Sequence, residues 1–291
     1  MGDSVREGRP NHSAPLPSRL FTAGADTKRV ATALVFLPLL YVLTRHLPPV
    51  AFFALVSATV LLAQREFVCL FTEQHNRLQP TVAGFLGSLF LLVAMQWPTV
   101  LSIPMALLCI LIILLCYHIG VSLTRHRHLS VFIVLFGIFY LSCTLGHLLW
   151  LRNQRDGALL VFFVLLVTWA GDTAAYYAGT TWGSRPLAPQ LSPNKTREGL
   201  LGGLIVAPVI AWIGHLWFFP AVTLLDCLIL GLLLTVLGLA GDLSESAMKR
   251  QAGVKDSGSL IPGHGGMLDR VDSLIFNVPA FYYYMAWLKG P

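Results

Sequence analysis

Between Gly241 and Ser273 acids and bases crowd together. Asp242, Glu245, Asp256, Asp269 and Asp272 stand beside Lys249, Arg250, Lys255 and Arg270. Apolar runs enclose the stretch on both sides, at 221–240 and 274–288. A loop that only joined two apolar segments would have no need of such a mixture. Clustered carboxylates suit a hard cation, since Mg²⁺ takes one or two of them together with waters and substrate phosphates. The bases suit the phosphates themselves. The chemistry to expect is metal-dependent phosphate chemistry at a membrane face.

The spacing assigns faces. The helix leaving the first apolar run is predicted to continue to about Gln251, with Gly253 as its C-cap. On it Asp242, Ser246 and Lys249 fall at i, i+4 and i+7, so one face carries carboxylate, hydroxyl and ammonium. An acid so near an apolar run is costly unless paired or metal-bound. The glycines of Pro262–Gly266 let backbone approach a ligand and turn N–H groups toward an anion. That makes Gly265 and Gly266 candidate substrate contacts. Asp269 and Asp272 then share one helical face at the start of the last apolar run; for one of them, capping is the alternative role. With Asp242 across the loop they form a candidate cation site. A second constellation begins at Asp172, an acid inside an apolar run and therefore a functional candidate, or else an interhelical hydrogen-bonding group. Ser192, Lys195, Thr196 and Arg197 follow, hydroxyls and cations suited to phosphate.

The elements that must hold these residues are membrane spans. The 291 residues are 55% hydrophobic and 12% charged, with mean hydropathy +0.69. A soluble domain carries about twice that charge, so the expected fold is all-α and polytopic, an integral membrane protein. Apolar windows recur at 30–46, 50–70, 81–96, 99–121, 129–150, 158–178, 200–219, 221–241 and 272–288. Each approaches the ~20 residues that cross a bilayer core, which predicts about nine transmembrane helices. The expected division is a disordered cytoplasmic tail at 1–28, N-terminal transmembrane helices at 29–156 and a C-terminal catalytic transmembrane domain at 157–291. With the amino terminus inside, only Arg45, Arg152, Arg155 and Lys289 of the 20 Lys and Arg residues fall outside. That bias fixes the expected orientation. It puts Asp172, Asp242 and Asp269 on the cytoplasmic face. The five cysteines form no C-x-x-C pair and read as small hydrophobes, not as a disulfide or zinc framework. No nucleic-acid partner is expected.

From Ser246 to Asp272 the pattern S-A-M-K-R-x4-K-D-S-G-x2-I-P-x-H-G-G-M-x-D-R-V-D resembles the signature of the phosphatidate cytidylyltransferases, also called CDP-diacylglycerol synthases. G-D-T-A-A-Y from Gly171 and S-P-N-K-T-R-E-G from Ser192 resemble that family's second block. The resemblance runs from Trp169 to Leu288; the earlier half matches only as apolar spans. It implies a homodimeric enzyme of the bacterial cytoplasmic (inner) membrane, its active site facing the cytoplasm. The implied substrates are CTP and phosphatidate, and the implied cofactor is Mg²⁺, with a monovalent cation such as K⁺. Asp242 and Asp269 would then hold the metal, while Asp172 and Asp272 orient the substrate. Lys195, Lys249, Arg250, Lys255 and Arg270 would neutralise phosphates, and His264 would donate to pyrophosphate. Ser192, Thr196, Ser246, Gly265 and Gly266 would complete the substrate contacts. The implied reaction also suits the residues. A phosphate monoester has its second pKa near 6, so it needs no strong base, only help in meeting a triphosphate. Two rivals stay open on the sequence: transfer to a different lipid phosphate, and an ion-coupled transporter using Asp172 and Asp242 as relays. The pattern of the CDP-alcohol phosphotransferases, D-G-x2-A-R-x8-G-x3-D-x3-D, does not occur.

Overall fold

An apolar run in lipid must satisfy its backbone internally, and a helix does so within one segment. The computed structural model describes residues 38–72, 77–125, 129–258 and 265–288. Within them each expected window holds a helix, though residues 99–102, 218–219 and 221–223 lie outside the helices. The tail at 1–28, the start of the first window and His264 lie outside the described residues. The chain divides into two units, Met1–Leu39 and Leu40–Pro291. Of the first, residues 38 and 39 are described and helical; all that follows concerns the second.

After a helical stretch at 40–46 come α1 (Pro49–Phe71), α2 (Leu78–Gln96), α3 (Ile103–Arg125) and α4 (Leu129–Gly137). A π-helical turn (Ile138–Cys143) prolongs α4 toward α5 (His147–Asn153). The C-terminal part holds α6 (Gly157–Trp182), α7 (Arg197–Trp217), α8 (Leu224–Gln251) and α9 (Leu268–Leu288). Among the described residues six stretches are long and apolar enough to cross a membrane: α1, α2, Val131–Asn153, α6, α7 and α8. The apolar part of α3 is shorter, Ile103–Ile119, and α9 opens with Asp269, Arg270 and Asp272. The protein is a helical, polytopic membrane protein. One short element departs from the all-α expectation. β1 (Pro186–Ala188) and β2 (Ser192–Thr196) pair antiparallel, with Pro186 opposite Thr196 and Ala188 opposite Ser192. Pro186, Pro189 and Pro193 deny this stretch a helix, and the extended arms pair instead.

α7 shows how the bundle is sorted. Leu201, Ile205, Val209, Ile213 and Leu216 are exposed along one side. Gly199, Gly203, Ala207, Ala211 and Gly214 are buried along the other. Large apolar groups therefore face lipid while small residues let α6 and α8 come close. At Gly202 an added Cβ would lie 2.5 Å from that of Ala178 on α6. α8 starts in a capping box, in which Asp226 N donates to Thr223 Oγ1 at 3.2 Å and Thr223 N to Asp226 Oδ2 at 2.6 Å. Its 28 residues at ~1.5 Å each make a helix of roughly 42 Å, longer than the ~30 Å apolar core. As expected it ends at Gln251, and Gly253 follows with φ 71°. The charged end from Asp242 onward is the part that projects. There α8 and α9 touch backbone to backbone: a Cβ on Gly241 would stand 2.3 Å from the Asp272 carbonyl oxygen.

Candidate active site

Four elements converge at that contact. Asp172 comes from α6, Lys195 from β2, Asp242 from α8 and Asp272 from α9. Lys195 Nζ forms an ion pair with Asp242 Oδ2. Asp172 and Asp272 feel the charges of both partners, and Asp272 also feels that of Asp172. The hairpin sets Lys195. Thr196 is the N-cap of α7, its Oγ1 accepting from Gly199 N at 3.1 Å. Glu198 accepts from Ser184 N (3.1 Å), Ser184 Oγ (2.9 Å) and Arg185 N (3.2 Å). Arg250 Nε, on α8, donates to Leu191 O in the turn at 3.3 Å. The ion pair is open to solvent, with side-chain exposures of 27% for Lys195 and 30% for Asp242, and Asp172 is exposed. These carboxylates are reachable by a ligand.

A second cluster lies farther along α8 and is closed. Asp269 Oδ1 accepts from Lys249 Nζ at 2.6 Å. Its Oδ2 accepts from Gly266 N at 2.8 Å, Ser257 Oγ at 2.9 Å and Ser257 N at 3.3 Å. Lys249 Nζ also stands 3.3 Å from Glu245 Oε1. The side chains are 12% exposed for Lys249, 14% for Asp269 and 1% for Glu245. Asp269 precedes the apolar part of its helix. Burial opposes its ionisation, but the bonds from Lys249 and the loop outweigh that and hold its pKa at about 2.

The structure thus brings Asp172, Lys195, Asp242 and Asp272 together, with Ser246 Oγ 3.4 Å from Asp242 Oδ1. Asp242 and Asp269 share no partner: the first pairs with Lys195, the second with Lys249. The Gly266 N–H, expected to face an anion, goes to Asp269, and Gly265 takes φ 81° beside that carboxylate. Arg250 braces the hairpin and Val254 O (3.0 Å). Lys255 and Arg270 are exposed; Ser192 sits in β2 opposite Ala188. Sequence reasoning overlooked Glu66 on α1 and gave no role to Ser257 or to the buried Glu245. Glu66 accepts from Met267 N, Leu268 N and Ser257 Oγ. An acid inside an apolar run was its visible signal, the one that marked Asp172. A cavity of about 900 Å³ opens beside it, between the end of α1 and residues 251–258, lined in part by Arg65, Arg77, Val254 and Asp256.

The donor chemistry gives a mixed answer for Mg²⁺. Asp172, Asp242 and Asp272 offer hard oxygens, and among the described residues Lys195 is the counter-charge paired with them. That excess of negative charge fits a divalent cation. Asp269 fits less well, because it already accepts from Lys249 at Oδ1 and from three donors at Oδ2, whereas Asp242 has one partner at each oxygen. Among the described residues no three His, Cys, Asp or Glu side chains form a metal cage. Water and substrate would have to complete a shell, as Mg²⁺ ordinarily allows.

Comparison with known proteins places these residues in a family. The model of the cytidylyltransferase family matches residues 27–288. The uncharacterized protein YnbB of Escherichia coli K12 is 46% identical over 148 residues, 49% of this chain and 49% of that one. A phosphatidate cytidylyltransferase of Bacillus subtilis is 41% identical over 148 residues, 50% of this chain and 55% of the relative. One from Staphylococcus saprophyticus is 35% identical over 205 residues, 68% and 77% of the two chains. The chain spans about half the length of the first two relatives and over three quarters of the third.

Proposed function

The chain belongs to the cytidylyltransferase family, and from that premise we propose that it makes CDP-diacylglycerol and pyrophosphate from CTP and phosphatidate. An oxygen of the lipid phosphate attacks the α-phosphorus of CTP. The bond from that phosphorus to the oxygen bridging to the β-phosphate breaks, and pyrophosphate leaves with the electron pair. The observation that carries the reading is the cluster of Asp172, Asp242 and Asp272 around Lys195, with the Lys195–Asp242 pair open to solvent. Alone it would repel two phosphate-bearing substrates; with a divalent cation it attracts them. Mg²⁺ held at Asp242, with Asp172 and Asp272 alongside, would supply charge neutralisation at the transferring phosphate.

The chain's own residues have separable tasks in this proposal. Lys195 exchanges its carboxylate partner for substrate phosphate once the cation is bound. Arg250 and Glu198 keep the hairpin, and so Lys195, in place. Asp269 ties Ser257 and Gly266 to Lys249 and leaves Asp242 as the metal carboxylate. Lys255, Arg270, Arg65 and Arg77 lend positive charge around the mouth and the neighbouring cavity. His264 keeps its proposed role toward pyrophosphate.

The finer membrane reading belongs to the same proposal. Nine spans, with the helices ahead of α1, α3 and α9 added to the six, put the site on the cytoplasmic side of the inner membrane. A homodimer and a monovalent cation such as K⁺ come from the family resemblance. Purified protein in detergent, given CTP and a panel of lipid phosphates, tests the function. Pyrophosphate release should require phosphatidate and a divalent metal. Release driven better by another lipid phosphate replaces the substrate. Ion uptake into vesicles without release replaces the reaction.

A further inference from the structure

Helix α9 begins without a capping side chain of its own. The residues before Leu268 are Gly265, Gly266 and Met267, none of which accepts a hydrogen bond through a side chain, and the first N–H groups of a helix have no internal partner. Left buried without a partner, such groups cost about 1–3 kcal/mol each. The missing cap arrives from the other half of the chain. Glu66 lies about one and a half turns before the end of α1 and is 6% exposed. Its Oε1 accepts from Met267 N at 2.9 Å, and its Oε2 from Leu268 N at 2.8 Å and Ser257 Oγ at 3.2 Å. A carboxylate there also meets the positive end of the α9 dipole.

The fit is tight enough to dictate neighbouring residues. A Cβ on Gly266 would fall 2.3 Å from Glu66 Oε2 and 2.3 Å from Ser257 Oγ. One on Gly258 would fall 2.8 Å from Glu66 Oε1. These glycines leave room for the glutamate, whatever else they do. The Ser257 hydroxyl has one proton and two carboxylates within reach, Glu66 and Asp269. Through it the cap on α9 is joined to the Asp269 carboxylate.

We propose that Glu66 is a positioning residue for the transfer reaction. By holding the amides of Met267 and Leu268 it sets the first turn of α9, and with it the carboxylates of Asp269 and Asp272. It touches no reacting atom in this account. This inference rests on the proposed function for its activity arm only. Glu66→Gln keeps the shape but turns an amide NH₂ toward one of the two backbone donors, so one of them loses its acceptor.

The test uses the full chain in detergent with phosphatidate and two readouts. Misplacement of reacting groups by about 1 Å costs on the order of 100-fold, so kcat should fall roughly 10- to 100-fold. KM for CTP should stay within about twofold, because no substrate contact is lost. Amide exchange at Met267 and Leu268 should quicken, while α6 and α7 keep wild-type protection. Wild-type kcat, or a loss that merely matches the loss of folded protein, overturns the proposal. Should the wild type itself fail to transfer, the function has failed, and exchange alone judges Glu66: unchanged protection at Met267 and Leu268 refutes its role.

Discussion

Replacing Lys249 with Met separates two accounts of that ammonium. In the structure it is an internal counter-ion, 2.6 Å from Asp269 and 3.3 Å from Glu245, with 12% of its side chain exposed. Breaking a buried pair from one side costs about 3–5 kcal/mol, since a charge stays behind unpaired. Here the charge left behind is Asp269, since burial and the neighbouring Asp272 and Asp269 push Glu245 well above the carboxylate range. Asp269 retains the Gly266 and Ser257 donors, and Met keeps most of the packing volume. Both favour the low end, a loss of about 3 kcal/mol. For a chain of this size that is roughly a 6 °C fall in melting temperature. A thiol-reactive fluorophore can follow unfolding through the buried Cys227. Adding Glu245→Gln removes no charge at neutral pH and should restore little of the loss. KM for CTP should change little in the fraction that folds. A variant with wild-type melting and a sharply raised KM would refute this account, because Lys249 would then be free to serve substrate phosphate.

Three shorter predictions follow from the same geometry. Asp242→Asn should cut turnover at least ~100-fold while costing under about 1 kcal/mol of stability, because its pair with Lys195 is partly exposed; kinetics beside thermal melts check this, and a double variant with Lys195→Met should be little worse than either single one. The Asp269 carboxyl is held down at about 2, so its stabilisation is complete above the unfolded value near 4 and is lost only as pH falls toward 2. The melting difference between wild type and Asp269→Asn should therefore be flat from about pH 5.5 to 8; a slope in that range would contradict the closed cluster. Cysteine accessibility in intact cells should place Ser192 and Gly253 on the cytoplasmic side, and exposure of either from outside would reverse the proposed orientation.

Local features were legible in the sequence because their causes are local. The helix ending at Gln251 and the left-handed Gly253 follow from a face pattern and one residue without a Cβ. The six apolar crossings follow from hydropathy. The four-element cluster was half legible. Asp172, Asp242 and Asp269 could be assigned to one end of the bundle, with Asp272 on the helical face of Asp269, but lying at one end is not contact. Topology grouped Asp242 with Asp269, whereas the contacts separate them, with Lys195 on one and Lys249 on the other. Lys195 meets Asp242 only because a hairpin forms where proline forbids helix, and such pairing depends on packing against α8. Glu66 was least legible. Its partners lie about 200 residues away, and they are backbone amides with no side-chain identity to read. The same holds for Gly266, whose spacing beside glycines suggested an anion site and whose neighbour proves to be a glutamate from α1.

The central claim is that the bond broken is the one between the α-phosphorus of CTP and its leaving pyrophosphate. Two parallel incubations with phosphatidate test it, one with CTP labelled at the α-phosphorus and one with the label at the γ-phosphorus. The account predicts α-label in the lipid and γ-label in pyrophosphate, in equal amounts and only with lipid present. Label from the γ-position in the lipid would mean a kinase and would contradict the account, as would no transfer from either position.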